Sequence, residues 1–252
     1  MKEKENVHHV FWTGGLDSSF RVINLLRTSG ELVQPHYVIR HEESTGNEID
    51  AMNNIRRGVT RLYPDIRPNL LPTIYINEEM IPANEEVDAA VEAMRKEISR
   101  IHEQYQILAN YCKAYQIEEI DLTYERLTGG VSPATKGVSQ HFGRTFPFDN
   151  FRNPHTNITK KKCYEQAKVE GWGELLKMTS FCRRPRKKGI PCGICGPCCD
   201  AVKEGMGFRL PLIPRMKANI LLPFMKYYRK NQSKHGSNWF FMIIRRRFEH
   251  RL

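Results

Sequence analysis

The chain has 252 residues, and its hydrophobic content of 40% is enough for one sizeable core with appendages. Its formal net charge is +11, of which +10 falls between Arg209 and Leu252, where eleven Lys or Arg residues stand against one Glu. The nearly neutral body argues against a core that grips nucleic acid, and no stretch approaches the ~20 apolar residues of a membrane span. The charged start, Met1–Asn6, predicts no signal peptide, so we expect a cytoplasmic protein.

The first predicted elements are a strand, a glycine turn and a helix. The apolar run His9–Trp12 predicts a buried strand, Gly14-Gly15 predicts a sharp turn, and a helix with apolar positions as far as Leu26 follows. Such a junction directs free N–H groups and the positive end of the helix dipole at one point, so we expect a phosphate-binding turn, without the lysine of the Walker A pattern. The alternative is an ordinary glycine-rich turn. The candidate ATP-binding residues are Trp12, Thr13, Gly14, Gly15, Leu16, Asp17, Ser18 and Ser19.

Strands and helices continue to alternate along the chain. We predict strands within Glu31–His41, Leu70–Ile76 and Ile120–Tyr124, a helix over Glu48–Tyr63, and a helix pair or one broken helix over Ala83–Gln116. The alternation predicts an α/β fold with a doubly wound parallel sheet.

A long loop and two helices are predicted before the cysteines. Gly129–Asp149 is rich in Gly, Ser and Pro and has no clear period, which favours a loop. Thr159 is expected to cap a helix that ends near Gly171, and Trp172–Met178 predicts a short helix. We divide the chain into an ATP-binding α/β domain (1–180), a zinc-binding segment with a closing helix (181–208) and a basic extension (209–252).

Five of the seven cysteines are crowded between residues 182 and 199. Cys112 and Cys163 lie on predicted helices and are interpreted as buried thiols. In the crowded segment, two-residue spacers let successive thiolates turn toward one ion, and four of them close a structural, tetrahedral Zn²⁺ site. The alternatives are an iron–sulfur cluster, which the extra thiol of Cys199 keeps open, and free thiols in a loop. The expected zinc ligands are Cys182, Cys192, Cys195 and Cys198.

The glycine turn and the cysteine segment together resemble the QueC-like 7-cyano-7-deazaguanine synthases of the PP-loop ATP pyrophosphatase superfamily. Thr13–Ser19 follows the pattern Ser/Thr-Gly-Gly-x-Asp-Ser, Thr159-Lys160 opens a helix, and Ser180-Phe181-Cys182 precedes the cysteine trio. The resemblance implies an adenine nucleotide alpha hydrolase-like fold that uses ATP, Mg²⁺ and Zn²⁺. It also implies a carbon–nitrogen ligase of queuosine biosynthesis, which adenylates 7-carboxy-7-deazaguanine and converts it with ammonia to the amide and then the nitrile.

The resemblance also implies catalytic roles for three side chains. Asp17 would hold Mg²⁺ or fix the loop, Ser18 would face the nucleotide, and Lys160 would reach the phosphates as a point charge. The alternative for Lys160 is a solvated surface lysine. The chain departs from the family at Ile39–Glu43 and Glu125–Gly130, where the family reads its substrate. Two other functions therefore stay open: a diverged PP-loop enzyme that adenylates another substrate or couples a deazapurine to a macromolecule, and a binding module without ATP chemistry.

The basic extension 209–252 lies outside the resemblance. It interleaves Lys and Arg with aromatic residues, a pattern typical of contact with nucleic acid, an anionic membrane surface or a groove on a partner protein. The alternative is a C-terminal helix that packs on the body or on the second subunit of a homodimer.

Overall fold

The computed structural model describes residues 7–98, 101–123, 137–154 and 158–231. The strands are β1 (Val7–Phe11), β2 (Leu32–Ile39), β3 (Ile74–Asn77), β4 (Ile120–Asp121) and β5 (Phe151–Arg152). The helices are α1 (Leu16–Thr28), α2 (Thr45–Leu62), α3 (Glu85–Glu97), α4 (Glu103–Ala114), α5 (Lys160–Val169), α6 (Gly173–Lys177), α7 (Gly196–Lys203) and α8 (Leu212–Asn231). The chain divides into two compact units, Met1–Ser180 and Phe181–Leu252.

The five strands form one all-parallel sheet in the order β3-β2-β1-β4-β5. Phe11 of β1 lies opposite His36 of β2, and Val10 lies opposite Asp121 of β4. The chain first builds outward from β1 to β3 and then returns to add β4 on the other side, so the strand order reverses at β1. Ligands of open parallel sheets bind outside the carboxyl ends of the strands at such a reversal. The predicted α/β fold with a parallel sheet is confirmed, and the doubly wound, adenine nucleotide alpha hydrolase-like form stays a prediction.

A buried apolar cluster joins the sheet to α3 and α4. It brings Phe11 and Val38 from the strands together with Val91 of α3 and Leu108 of α4. Two helices, rather than one, carry these apolar positions, which confirms the predicted helix pair. The start of α3 is fixed by Asn84, whose side chain accepts the Val87 N–H at 3.1 Å.

The other helices of the first unit pack closely on one another. The Phe20 ring of α1 lies 5.2 Å from the Trp172 ring, and both side chains are buried. Gly58 lets α2 approach α6, because a Cβ there would lie 2.5 Å from the Leu175 side chain. Thr159 caps α5 as predicted.

The second unit contains the cysteine segment and the two last helices, α7 and α8, which pack against each other. Cys112 and Cys163 of the first unit are buried thiols, as predicted. Among the helices that the structure describes, none combines the length and the apolar character needed to cross a bilayer.

The structure corrects several expectations about elements. β3 begins at Ile74 rather than at Leu70, which forms only an isolated bridge with Val33. β5 was not predicted, because two residues are too few to show the alternation of a strand. α2 begins at Thr45, before its predicted start at Glu48. Its first turn is polar, so the apolar periodicity used for the prediction did not reveal it. β4 ends at Asp121, before its predicted end at Tyr124. The described residues do not include Tyr124, the loop Glu125–Gly130 or residues 232–252.

Candidate functional site

The turn between β1 and α1 is built by two glycines. Gly14 has a φ of +66°, and a Cβ there would lie 2.6 Å from the Glu48 carbonyl oxygen, so only glycine fits. Gly15 is the N-cap of α1, and it supplies no side-chain acceptor to the first N–H groups of the helix. The Ser180 N–H donates to the Gly14 carbonyl at 2.8 Å and holds the turn in place. A glycine turn that leads into an uncapped helix start suits an anionic ligand.

Two hydroxyl groups lie side by side at this turn. The backbone N–H of Thr13 donates to Ser18 Oγ at 3.3 Å, and the Oγ atoms of the two residues are 3.4 Å apart. Thr13 is exposed, whereas Ser18 is buried in the first turn of α1. The pair therefore offers two hydroxyl groups next to the helix N-terminus.

Trp12, Leu16 and Ser19 lie behind the turn, in the core. The Trp12 indole N–H donates to Ser19 Oγ at 2.9 Å, and both residues are fully buried. Leu16 is also buried. Of the eight predicted ATP-binding residues, these three support the turn from inside. Of the other five, Thr13 is exposed, Gly15 and Asp17 are partly exposed, and Gly14 and Ser18 are buried.

Lys160 and Asp17 meet although they are far apart in the sequence. Lys160 is the first residue of α5, and its Nζ lies 3.6 Å from Oδ2 of Asp17 in the first turn of α1. Thr159 fixes this helix start, because its Oγ1 accepts the Lys162 N–H at 3.3 Å. Both charged side chains are only partly exposed. The structure thus places a lysine cation beside the glycine turn.

A cavity of about 240 Å³ opens next to the turn. It lies at the carboxyl ends of three neighbouring strands, since Phe11, Val38 and Leu122 line it. Thr13 and Ser18 form part of its wall. The turn and the cavity therefore make one continuous region at the edge of the sheet where parallel α/β proteins bind ligands.

A partly buried carboxylate, that of Glu48, lies on one wall of the cavity. The Tyr37 hydroxyl donates to Oε2 of Glu48 at 2.8 Å, and the Ser44 hydroxyl donates to Oε1 at 2.8 Å. Burial raises the pKa of the Glu48 carboxyl above its ordinary range, although the hydrogen bonds from Ser44 and Tyr37 oppose the shift. Glu48 therefore provides a fixed acceptor for a donor group of a ligand.

Arg40 and Thr123 are two further polar residues in the lining of the cavity. The Arg40 guanidinium pairs with Glu42 at 3.2 Å and with Glu78 at 3.1 Å, so its position is fixed from two sides. Thr123 Oγ1 is buried and has no hydrogen-bond partner in the part of the chain that the structure describes. An unpaired buried hydroxyl in a cavity wall is available to a ligand.

His36 of β2 lies under the cavity in a chain of hydrogen-bonding groups. Its Nδ1 is 2.7 Å from the Tyr111 hydroxyl, and its Nε2 is 2.8 Å from Nδ1 of His9. Burial, with a smaller contribution from His9, lowers the pKa of His36 to about 4. His36 is therefore neutral near pH 7.

The second unit brings four buried sulfur atoms together. The Sγ atoms of Cys182, Cys192, Cys195 and Cys198 all lie within 4.8 Å of one another. A tetrahedral zinc ion with Zn–S bonds of ~2.3 Å requires sulfur separations of roughly 3.8 Å. The observed separations of 3.9 Å for Cys182–Cys195 and 3.4 Å for Cys195–Cys198 lie on either side of that value. The predicted ligands can therefore hold a metal such as zinc, and Cys199, also buried, is not in the group.

Backbone N–H groups donate hydrogen bonds to the sulfur atoms of the cluster. The Cys192 N–H donates to Cys182 Sγ at 3.2 Å, and the Ile194 N–H donates to Cys192 Sγ at 3.4 Å. Gly193 has a φ of +77°, and a Cβ there would overlap the backbone of Pro214. The tight turn between the second and third cysteines thus requires glycine.

No protein-family model, curated protein or solved structure matches the chain. The QueC-like resemblance therefore stays a hypothesis that rests on the residues of the turn and of the cysteine segment.

One buried lysine of the second unit interacts electrostatically with Cys192 of the sulfur group. Lys217 of α8 is buried, and its Nζ has no hydrogen-bond partner among the described residues. Burial and then Arg186 lower the pKa of Lys217, whereas the negative charge of Cys192 raises it. Four thiolates around Zn²⁺ would carry a net charge of −2. The donor set fits zinc.

Two of the cavity residues, Tyr37 and Glu48, are not among the residues predicted from sequence. The apolar periodicity of the surrounding sequence assigns Tyr37 to a strand and Glu48 to a helix, and neither residue belongs to a recognisable motif. The available signal was topological, because both lie near the carboxyl end of the strand that neighbours β1.

Proposed function

We propose that the chain is an ATP-dependent enzyme of the PP-loop type that adenylates a carboxylate. The candidate substrate is 7-carboxy-7-deazaguanine, which ammonia would convert to the amide after the first activation. A second activation by ATP would then remove the amide oxygen and give the nitrile, 7-cyano-7-deazaguanine. The observation that carries the proposal is the pairing of Lys160 with Asp17 beside the glycine turn, 3.6 Å apart. A glycine turn that binds no anion would need no lysine from a helix far away in the sequence.

The residues of the turn suit the first chemical step. In this step a carboxylate oxygen attacks the α-phosphorus of ATP, the bond to the β-phosphate oxygen breaks, and pyrophosphate leaves. The departing charge would be met by the N-terminus of α1, by the Thr13 and Ser18 hydroxyls and by Lys160. Asp17 would orient Lys160 through their ion pair.

The second chemical step, the attack of ammonia on the adenylate, requires room for the activated substrate beside the phosphates. Ammonia attacks the acyl carbon of the adenylate, and AMP leaves with its electron pair to give the amide. The cavity of about 240 Å³ lies directly beside the turn, so an activated carboxylate and its ring would have room near the phosphates. Glu48 and Thr123 offer polar contacts to such a ring.

Mg²⁺ and Zn²⁺ would have different roles. One carboxylate together with phosphate oxygens is a usual ligand set for Mg²⁺, so Asp17 is the residue that would hold the ion that shields the phosphates. The four cysteines leave no open position on a zinc ion, which indicates a structural role.

A diverged PP-loop enzyme is the second candidate. The segment Ile39–Glu43 departs from the family pattern, and within it Arg40 is held by Glu42 and Glu78. A substrate with other hydrogen-bonding groups than 7-carboxy-7-deazaguanine would fit this altered wall.

The proposed reaction can be tested by product analysis. The purified protein is incubated with ATP, Mg²⁺, ammonium and 7-carboxy-7-deazaguanine, and the products are identified by mass spectrometry. The proposal predicts AMP together with the amide or the nitrile. AMP formed only with another carboxylate would favour the diverged enzyme, and absence of AMP with every carboxylate tried would favour a binding module.

A further inference from the structure

The helix α8 has apolar residues on two sides. One side faces inward, with Pro214, Ala218 and Leu221 buried within the second unit. The opposite side is also apolar but is open to solvent. The relative exposures are 71% for Leu212, 61% for Ile213, 55% for Met216 and 52% for Ile220. We call these four residues the exposed stripe.

The stripe is continuous from Leu212 to Ile220, in the first half of the helix. Leu212, Met216 and Ile220 are spaced by four residues and therefore lie above one another, and Ile213 borders them. Phe208, just before the helix, is 47% exposed. A helix of a compact unit normally presents polar residues to water, so a continuous apolar side marks a surface that binds something.

The same segment carries almost the whole net charge of the protein. From Arg209 to Leu252 the sequence has eleven Lys or Arg residues and one Glu. Arg215 is held at the foot of α8, because its Nη2 donates to the Leu210 carbonyl at 3.0 Å. The charge and the stripe together suit an occupant that is both apolar and anionic.

An anionic lipid surface meets both requirements. Leucine, isoleucine and methionine side chains pack among acyl chains, while lysine and arginine side chains pair with headgroup phosphates and carboxylates. A second copy of the chain would bring another charge of +10 toward the first. Nucleic acid would pair with the cations, but it recognises aromatic and polar side chains and leaves an aliphatic stripe unused.

We propose that the exposed stripe of α8 docks the protein on anionic membranes. The helix lies parallel to the surface, with Leu212, Ile213, Met216 and Ile220 at the boundary between headgroups and acyl chains. The basic residues of 209–252, apart from the buried Lys217, supply the electrostatic attraction.

Vesicle sedimentation tests the proposal with the full-length, metal-loaded protein. One set of vesicles contains equal parts of phosphatidylcholine and phosphatidylserine, and the other contains phosphatidylcholine alone. The test variant is Met216→Gln with Ile220→Gln. The matched control is Met80→Gln with Val169→Gln, which replaces two exposed apolar residues of the first unit, 68% and 88% exposed. Neither variant alters a buried residue, so both should melt at the temperature of the parent.

The parent and the control variant are expected to bind the phosphatidylserine vesicles, and more weakly as salt rises. The stripe variant should bind them at least about tenfold more weakly, because two apolar side chains no longer enter the lipid. Equal binding by the stripe variant would overturn the proposal, since the attraction would then be electrostatic alone. Three other results would also overturn it. The first is binding of the parent to RNA or DNA but not to vesicles, and the second is self-association that the stripe variant abolishes. The third is a lower melting temperature of the stripe variant, which would mean that another part of the chain covers the stripe.

Discussion

The two candidate sites differ in what would hold their ligands. The cysteine cluster is made of four buried side chains of one type, and that type alone indicates a metal. The glycine turn is made mainly of backbone, with one ion pair and two hydroxyls beside it, and many anions could use such groups. The ligand of a side-chain site can thus be deduced from its atoms, whereas the ligand of a backbone site has to be established by its chemistry.

Loss of one sulfur should have the largest effect of any change considered. Cys192→Ser or Cys195→Ser should lose the metal and unfold the second unit, because a structural zinc ion contributes ~10 kcal/mol or more to the folding of such units. Elemental analysis should find about one zinc per chain in the parent and almost none in the variants.

Cys199→Ser is the matched control, since Cys199 is buried nearby but lies outside the four-sulfur group. It should keep the metal. Metal loss in this variant, or iron with visible absorbance in the parent, would mean that the ligand set or the metal has been assigned incorrectly.

The ion pair at the turn should matter for activity and little for folding. Lys160→Ala and Asp17→Ala should each lower the rate of ATP cleavage ~10²-fold to ~10³-fold, as expected when a group that stabilises developing charge is removed. Circular dichroism should remain that of the parent, because both side chains are partly exposed.

Lys161→Ala serves as the control for Lys160→Ala. Lys161 is the next residue of the same helix, and it is more exposed and pairs with Glu165. If Lys161→Ala slowed ATP cleavage as much as Lys160→Ala, the position of Lys160 beside Asp17 would have no special role.

Acid should weaken the first unit through His36. The pKa of His36 is lowered from 6.5 to about 4 in the folded protein, so the unfolded chain binds a proton that the folded chain does not. The stabilisation is complete above pH 6.5 and is lost as the pH falls toward 4, by about 3 kcal/mol at most. Denaturation at a series of pH values should show a steeper loss in the parent than in His36→Gln, and parallel curves would contradict the assignment.

Substitutions of the two serines of the turn, Ser18 and Ser19, should distinguish a residue that contacts the ligand from a residue that only stabilises the turn. Ser19→Ala leaves the Trp12 indole N–H without its acceptor, which should cost ~1–3 kcal/mol of stability and leave the activity of the folded protein unchanged. Ser18→Ala should do the opposite, with normal stability and slower ATP cleavage. If Ser19→Ala instead lost activity at unchanged stability, its hydroxyl would have to reach the ligand.

The cysteine cluster and the order of most elements could be predicted because both depend on local spacing. Two-residue spacers fix which sulfurs can meet, and apolar periodicity identifies α1, α2 and the pair α3 and α4. The turn itself was visible as a glycine pair between a strand and a helix. These signals are each contained in fewer than about twenty consecutive residues.

The cavity could not be predicted, because its walls come from segments far apart in the chain. Thr13, Glu48 and Leu122 meet only after the strands have taken the order that places β1 between β2 and β4. The proximity of Lys160 to Asp17 likewise depends on how α5 packs on α1, and the sequence alone left Lys160 between a phosphate contact and a solvated surface lysine.

The central claim is that a carboxylate attacks ATP at this turn, and isotope transfer tests it most directly. 7-Carboxy-7-deazaguanine labelled with oxygen-18 in its carboxylate is incubated with the protein, ATP, Mg²⁺ and ammonium, and AMP is analysed by mass spectrometry. Adenylation transfers one carboxylate oxygen to the α-phosphate, so the account predicts oxygen-18 in AMP, at a rate that Lys160→Ala lowers. Unlabelled AMP, or no AMP at all, would contradict it.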